Sequence, residues 1–432
     1  MIVNAFPKLS PPAASPLTAG VGGGVGPAEA ASARVETLDA AFGNVGLAPM
    51  EGVSDLPLRL WISQTSAPDF AVTPFLRVTR DYPAKRIAAT YAPEISRLRG
   101  SVNYRLLPQL MGPAMPDLMR VAESLLIHAP LVDFNCGCPS PTVVGNGAGS
   151  ALLETESTFD AYLSQLCRAL GPENVSVKMR IGFHHADEFA ALAGVVVKHA
   201  PKRVTIHGRT RAQRYLGRAD WDAVALLARQ APSRTQVVGS GDVVDSKSYL
   251  ERMGHSGPRV IVGRGALRNP WIFEELRRGQ RVSLRHDALL RSLEAYALLQ
   301  HLFEADAQGL LAFVEESGLF LGCAGTSREA WTLLRDALAA RAGLEPHRPE
   351  DWVMARGAFA RVKMLWNSMR SGLPRALFAP GPLRAPDVGS FLSVVAHGLK
   401  ESAVFEGAVA DVVEFVHHAD LDWVYSGGKE QV

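Results

Sequence analysis

Val132-Asp133-Phe134-Asn135-Cys136-Gly137-Cys138-Pro139-Ser140, running on into Gly145-Asn146-Gly147-Ala148-Gly149-Ser150-Ala151, sets a thiol where an apolar strand breaks into a glycine-rich turn. In parallel α/β architectures chemistry gathers at such strand ends, because the strand is rigid and the loop after it can approach a ligand closely. A buried cysteine acting as a small hydrophobe is the competing reading of a lone Cys. The adjoining Asn, Gly and Pro favour function here.

On both sides of this stretch, from about residue 44, short apolar runs alternate with longer amphipathic ones, the rhythm of a parallel sheet. The strand candidates are Val45 to Ala48, Phe70 to Pro74, Arg105 to Leu110, Leu131 to Asn135, Val175 to Met179, Arg203 to His207, Gln236 to Gly239 and Arg259 to Val262. Helical patterns lie between several of them. Asp187 to Lys198, for example, carries Phe189, Leu192, Val195 and Val196 on one face behind an acidic start. Eight strand-then-helix units predict a closed (β/α)8 TIM barrel, an α/β fold that takes ~250 residues. A doubly wound open sheet is the alternative.

The 432 residues leave room for a second domain. The expected division is a flexible tail over 1–40, a barrel over 41–278 and a helical domain over 279–432 that ends in an acidic segment. The tail reading rests on Pro11-Pro12-Ala13-Ala14-Ser15-Pro16 and on the glycines at 20 to 26, which have little to bury. Those glycines are not a nucleotide fingerprint, since no strand precedes them and Pro27 follows. No apolar run has the length of a membrane span or the character of a secretion signal, so a soluble protein is expected. Four cysteines are too few for a disulfide framework, which points to a reducing compartment, the cytoplasm by default. Cys136-Gly137-Cys138 has no matching Cys/His pair elsewhere, so no metal is expected.

If the sheet closes, the polar strand ends converge on one mouth. They are Pro49-Met50-Glu51-Gly52, Gln109-Leu110-Met111-Gly112, Lys178-Met179-Arg180, His207-Gly208-Arg209-Thr210, Gly239-Ser240-Gly241-Asp242 and Gly263-Arg264-Gly265-Ala266. The last two loops are the usual phosphate cradle of a barrel. Lys178 can neutralise an electron-rich ring, and the Gln109 amide can donate and accept against a carbonyl and a ring nitrogen together, which suits an isoalloxazine. A structural ion pair for Lys178 and a satisfied polar group for Gln109 are the competing readings. His207 alone is more often structural than catalytic.

These residues carry a resemblance. Leu47-Ala48-Pro49-Met50-Glu51-Gly52, Asn135-Cys136-Gly137-Cys138-Pro139-Ser140, Gly147-Ala148-Gly149-Ser150-Ala151-Leu152-Leu153, Val177-Lys178-Met179-Arg180-Ile181-Gly182, His207-Gly208-Arg209-Thr210 and Val262-Gly263-Arg264-Gly265-Ala266 resemble the ordered signature of the tRNA-dihydrouridine synthases. Thr73-Pro74-Phe75-Leu76-Arg77-Val78 is most similar to the bacterial C branch, associated with uridine 16 of the D-loop. The likeness covers about 46 to 275 and returns at Ala360-Arg361-Val362-Lys363.

The resemblance implies an FMN enzyme that reduces the 5,6 double bond of a uridine in tRNA, with NADPH or NADH as transient reductant and NAD(P)+ as acceptor in the reverse sense. Reduced flavin would give hydride to C6, and Cys138, the catalytic residue by this carry-over, would protonate C5. A thiol with a free pKa near ~8.5 is mostly protonated at neutral pH and can still release its proton. Cys136 is assigned packing alone. By the same carry-over Pro49, Met50, Glu51, Gln109, Lys178, His207, Ser240, Gly241, Asp242, Gly263 and Arg264 would hold the flavin. Asn135, Arg180 and Tyr215 would hold the flipped-out uracil, where aromatic contact helps repay unstacking. Ser240-Gly241 stands where the family often has Asn-Gly, and Ser368 where an aromatic is expected.

A formal charge of +2 hides an uneven distribution. Residues 355–400 hold seven Lys/Arg against one acid, and 401–432 one Lys against seven acids. Arg356, Lys363 and Arg370 recur every seven residues and would share a helix face opposite Val362, Leu365 and Met369. Taken alone, this is equally a solvated face. The resemblance favours tRNA contacts for Arg77, Arg361, Lys363 and Arg384, in a monomeric protein whose partners are tRNA and NAD(P)H, with neither membrane nor metal. A flavin barrel acting on a free small molecule such as a dihydropyrimidine is the alternative, against which the basic block argues. A tRNA-binding relative without catalysis is another, against which Cys138, Lys178 and His207 argue.

Overall fold

Short runs rich in Val, Ile and Leu form the strands β1 (Val45–Leu47), β2 (Phe70–Val72), β3 (Leu76–Arg77), β4 (Arg105–Leu107), β5 (Gln109–Met111), β6 (Val132–Cys136), β7 (Val175–Arg180), β8 (Arg203–His207), β9 (Gln236–Ser240) and β10 (Val260–Val262). The computed structural model describes residues 43–82, 87–113, 115–256, 259–373, 381–405 and 412–415. The expected tail over 1–40 and most of the acidic segment beyond 405 lie outside them. Every pairing in the main sheet is parallel, in the order β3-β5-β6-β7-β8-β9-β10-β1-β2-β4. β1, β2 and β6 are buried along their whole length, as strands covered on both faces are.

Pro108 shows how the sheet closes. β4 pairs with β2 and β5 pairs with β6, and one proline separates β4 from β5 in the chain. β4, at one end of the sheet, thus runs on covalently into β5, next to the other end, and with β2/β3 and β4/β5 each counted as one stave, eight staves make the closed barrel. A proline has no N–H to give a ladder. The third expected strand, Arg105 to Leu110, is therefore two short ones. The junction is held by side chains: Thr73 Oγ1 accepts from the Gln109 N–H at 2.9 Å, and the Tyr91 hydroxyl donates to the Gln109 carbonyl at 2.6 Å. The Pro108 carbonyl still accepts from Asp133 N–H at 2.9 Å. β3, two residues beside β5, is too short to register as an apolar run.

The expected helix from Asp187 begins at Phe189 and runs to His199. Asp187 and Glu188 instead sit in a 3-10 turn, where the Glu188 carboxylate accepts from the Phe183 and His185 N–H groups at 2.6 and 3.1 Å. The apolar face is the expected one, with Phe189, Leu192, Val195 and Val196 buried.

After the helix Ile272–Arg278 the chain makes β11 (Ser283–Arg285), antiparallel to β12 (Val412–Glu414), and the helices His286–Ser317, Arg328–Ala342, Arg356–Met369 and Val388–Phe405. The first of these breaks at Asp306 (φ −152°, ψ 77°), whose carboxylate accepts from Gly309 N–H at 2.8 Å as a new N-cap. These helices share one hydrophobic core with the barrel. Trp61, on the barrel helix Leu56–Ser66, donates its indole N–H to the Ser292 carbonyl at 2.8 Å and lies 5.2 Å from the Tyr296 ring. On Arg356–Met369 the buried face holds Val362, Leu365 and Met369 as expected, with Arg356 exposed and Lys363 half-buried. No described helix is long and apolar enough to cross a membrane.

Candidate functional site

The carboxyl ends of the strands surround a cleft of about 840 Å³, including the space open to solvent at its mouth. Pro49, Met50, Lys178, Arg180, His207, Tyr215, Ser240, Gly241, Asp242, Gly263 and Arg264 all line it. β7 and β8 pair in register, so Lys178 stands opposite Thr205 and Arg180 opposite His207. Alternation along β7 turns Lys178 and Arg180 to the same face.

Arg180 is the frame of the mouth. Its Nε donates to the Gly137 carbonyl, and its Nη1 to the carbonyls of Thr210 and Arg214, each at 2.9 Å. It thereby ties the loop after β6 to the loop after β8. The half-exposed Tyr215 ring lies between two guanidinium groups, 5.8 Å from that of Arg180 and 4.9 Å from that of Arg264. An aromatic face held by cations at the rim is a platform for a planar ring.

The cleft is strongly cationic. Burial, then the neighbouring Arg180, lowers the Lys178 ammonium to about 8, against the opposing pull of Asp133. Burial and the arginines around it hold His207 well below its usual range, so the imidazole is neutral at pH 7. Arg180 is lowered to about 10, chiefly by burial. Asp242 offsets part of this charge, but its carboxylate is committed: both oxygens accept from Arg209 Nη2, at 2.8 and 2.9 Å, and one also accepts from Ala219 N–H at 2.6 Å. A cofactor contact by Asp242 is left to its backbone.

Two buried nitrogens here have no hydrogen-bond partner among the described residues, His207 Nδ1 and Arg209 Nη1. Both residues lie close to Gly241, where a β carbon would come 3.5 Å from His207 Nε2 and 3.7 Å from Arg209 Nη1. At Gly263 a β carbon would meet Ala48 at 3.6 Å and Met50 Sδ at 3.7 Å, ordinary van der Waals contact, so the glycine backbone there is crowded by neither. Orphaned donors, bare glycine backbone and four cations fit an anionic, phosphate-bearing planar ring such as FMN.

Cys138 is half-buried on the loop beside Arg180. Its carbonyl accepts from both the N–H and the hydroxyl of Ser150, at 3.1 and 2.8 Å, and its N–H donates to Asn135 Oδ1 at 2.9 Å. Gly149 must be glycine, since its φ is +60° and a β carbon would sit 3.0 Å from the Cys138 carbonyl. Burial raises the Cys138 thiol above its ordinary value. Glu51 adds to this, while a hydrogen bond with Ser140 and the charges of Arg180 and Lys178 oppose it. The group is a thiol at neutral pH. Cys136 is fully buried, in keeping with packing.

A family model described as Dihydrouridine synthase (Dus) matches residues 46–308. This chain belongs to the dihydrouridine synthase family. Among its relatives are a tRNA-dihydrouridine(47) synthase of Coprinopsis cinerea, 34% identical over 38% of this chain and 26% of that protein, and a tRNA-dihydrouridine(16) synthase of Salmonella typhimurium, 32% identical over 52% of this chain and 73% of that protein. The chain thus spans about a quarter of the fungal relative. Morphinone reductase in complex with tetrahydroNAD aligns with a TM-score of 0.41 at 12% identity, over 55% of this chain and 87% of that one.

Other residues the family likeness brings forward lie off the cleft wall. Gln109 is fully buried, and its amide is engaged within the protein: Nε2 donates to Asp133 at 2.7 Å and Oε1 accepts from Asn135 Nδ2 at 2.9 Å. Beyond these two bonds the amide keeps one N–H and one oxygen lone pair. Glu51 is exposed beside the cleft. Arg77 is exposed on β3, 3.4 Å from the Thr142 carbonyl, and Arg384 is exposed at the end of the short helix Gly381–Arg384. Arg361 instead reaches the loop after β1, donating to the Gly52 carbonyl and lying 3.9 Å from Asp55. Lys363 donates to the Ala385 carbonyl at 2.7 Å and lies over the Phe359 ring. The sequence reading gave no role to Asp133 or to Arg209. A carboxylate inside an apolar strand was the one available signal for Asp133.

Proposed function

We propose that this chain is an FMN-dependent tRNA-dihydrouridine synthase that reduces the 5,6 double bond of a D-loop uridine, position 16, with NADPH or NADH as reductant. The observation that carries the reading is a Cys138 thiol on the loop that Arg180 ties to a cleft made cationic by Lys178, Arg180 and Arg264 and lined also by the neutral His207, in a chain of this family. Bound reduced flavin supplies a hydride to C6 of the uracil. The electron pair displaced from the 5,6 bond takes the Cys138 proton at C5, and the thiolate regains a proton from water.

Lys178 would hold the electron-rich ring of the flavin, and the Gly241 and Gly263 backbones with the unpartnered nitrogens of His207 and Arg209 would hold its phosphate. Asn135, Arg180 and Tyr215 receive the uracil, Tyr215 by stacking. The barrel over 41–278 is the catalytic part. The helices of 279–432 present Arg384 and the exposed Arg356 to tRNA, with Arg77 at the barrel rim. Arg361 links that surface to the cleft through the Gly52 loop. A monomer in the cytoplasm suffices for this chemistry, and no metal enters it. Position 16 is favoured by the Salmonella relative and by a second tRNA-dihydrouridine(16) synthase, of Yersinia pestis, 30% identical over 83% of its length.

The reading is tested by reducing the flavin-loaded protein and adding tRNA that lacks dihydrouridine under anaerobic conditions. Reoxidation that requires the tRNA is expected. A flavin that ignores tRNA but is reoxidised by a free dihydropyrimidine's parent base would replace this reading with the small-molecule one.

A further inference from the structure

We propose that Asp133 is a positioning residue for Cys138, acting through a one-way chain of side-chain amides, Asp133–Gln109–Asn135, that ends on the Cys138 loop. β6 turns Asp133 and Asn135 to the same side, two residues apart, and Gln109 on β5 is the register partner of Asp133. Asp133 Oδ2 accepts from Gln109 Nε2 at 2.7 Å, Gln109 Oε1 accepts from Asn135 Nδ2 at 2.9 Å, and Asn135 Oδ1 accepts from the N–H groups of Gly137 and Cys138 at 3.1 and 2.9 Å.

The direction of every link follows from the first. An ionised carboxylate only accepts. Gln109 must turn its NH2 to Asp133, which leaves its oxygen for Asn135. Asn135 must then turn its own NH2 to Gln109, and its oxygen is left for the two backbone donors. A chain running the other way would aim the Asn135 NH2 at the Gly137 and Cys138 N–H groups, which in a buried site have no water to turn to. Burial raises the Asp133 carboxyl, and the hydrogen bonds from Ser176, on its other oxygen, and from Gln109, with the facing cations Arg203 and Lys178, oppose that rise and favour the carboxylate. Asp133, Gln109 and Asn135 are each at most 9% exposed. The inference rests on Cys138 as the proton donor for its consequence in catalysis, but the chain itself can be read without turnover.

The test moves the carboxylate along the chain. Asn135→Asp places Gln109 between two carboxylates, so its oxygen must face one of them. Adding Asp133→Asn removes that conflict. The amide it introduces can donate to Gln109 Oε1, and Gln109 Nε2 can turn to the new carboxylate, which still accepts from Gly137 and Cys138. Adding Asp133→Leu instead removes the same charge but cannot donate. Hydrogen exchange of the Gly137 and Cys138 amides is measured in the full chain, with neither flavin nor tRNA. Asn135→Asp is expected to speed exchange roughly tenfold, the scale of one hydrogen bond lost. Combined with Asp133→Asn it should return to within about threefold of the parent, and combined with Asp133→Leu it should stay fast. Unchanged exchange in Asn135→Asp, or equal rescue by the two second substitutions, overturns the proposal. If Asn135→Asp alone does not fold, recovery of the fold by Asp133→Asn and not by Asp133→Leu reads the same relation, and its failure overturns it. Failure of the catalytic reading shows separately, as a Cys138→Ala enzyme that still turns over.

Discussion

Cys138 and Lys178 are shifted in opposite senses by their environments. Burial holds the Cys138 thiol protonated beyond its ordinary range, so it can donate across neutral pH and lose that ability only in alkaline solution. Cys138→Ala is expected to retain flavin and tRNA binding while turnover falls by ~10²-fold or more, the usual scale for a lost general acid. Single-turnover reoxidation measures it, and an unchanged rate removes Cys138 from the mechanism. Lys178 behaves in the opposite sense. Its folded-state value of about 8 lies below the ordinary lysine value, so its charge is present at pH 7 and lost as pH rises through about 8. FMN affinity, followed by quenching of flavin fluorescence, should therefore decline between pH 7 and 9. His207 is already neutral over that span and Arg180 still charged. Lys178→Met should bind more weakly at pH 7 and show no such decline, and a decline equal to the parent's would assign it to another group.

Among the elements, the strand ends matter most, because their loops can approach a ligand only where side chains are absent. Gly239 near the end of β9 shows this. A β carbon there would lie 2.1 Å from the Trp221 ring, whose indole N–H also donates to the Gly241 carbonyl at 3.0 Å. Gly239→Ala should displace Trp221 and with it the Gly241 loop, costing about 1–3 kcal/mol by overpacking and weakening FMN retention together. Denaturant unfolding and flavin titration measure the two, and a variant with parent-like flavin affinity would uncouple that loop from Trp221. The strands were legible as apolar runs ended by glycine, and Cys138, Lys178 and His207 as polar groups at those ends. Pro108 was visible, but what it does was not, since closure depends on which neighbour each half of a strand pairs with. Asp133 and Arg209 stayed hidden for the same reason. Their partners, Gln109 and Asp242, are distant in sequence, and the direction of an amide is decided only by what it meets across the barrel.

Across the whole molecule, the helices after the barrel are packed into its core rather than hung beside it. Trp61 is fully buried between Trp271 and Tyr296, at 6.3 and 5.2 Å, and hydrogen-bonded to Ser292. Trp61→Ala should cost about 3–5 kcal/mol and lower one cooperative transition. Calorimetry that instead shows two separated transitions, with only one moved, would make the barrel and the later helices independent. Arg361 belongs to this scale as well. The sequence offered it as an RNA contact, whereas its bond to the Gly52 carbonyl places it between the basic helix and the loop that carries Met50. If the helix binds tRNA as proposed, that residue would couple the binding to the shape of the cleft. The most direct measurement is to incubate the protein, FMN and NADPH with tRNA lacking dihydrouridine and to map the modified base by mass spectrometry. One dihydrouridine per tRNA, at position 16 and absent with Cys138→Ala, is the expected result; tRNA that remains unmodified while the protein is flavin-loaded and reduced would contradict the assignment.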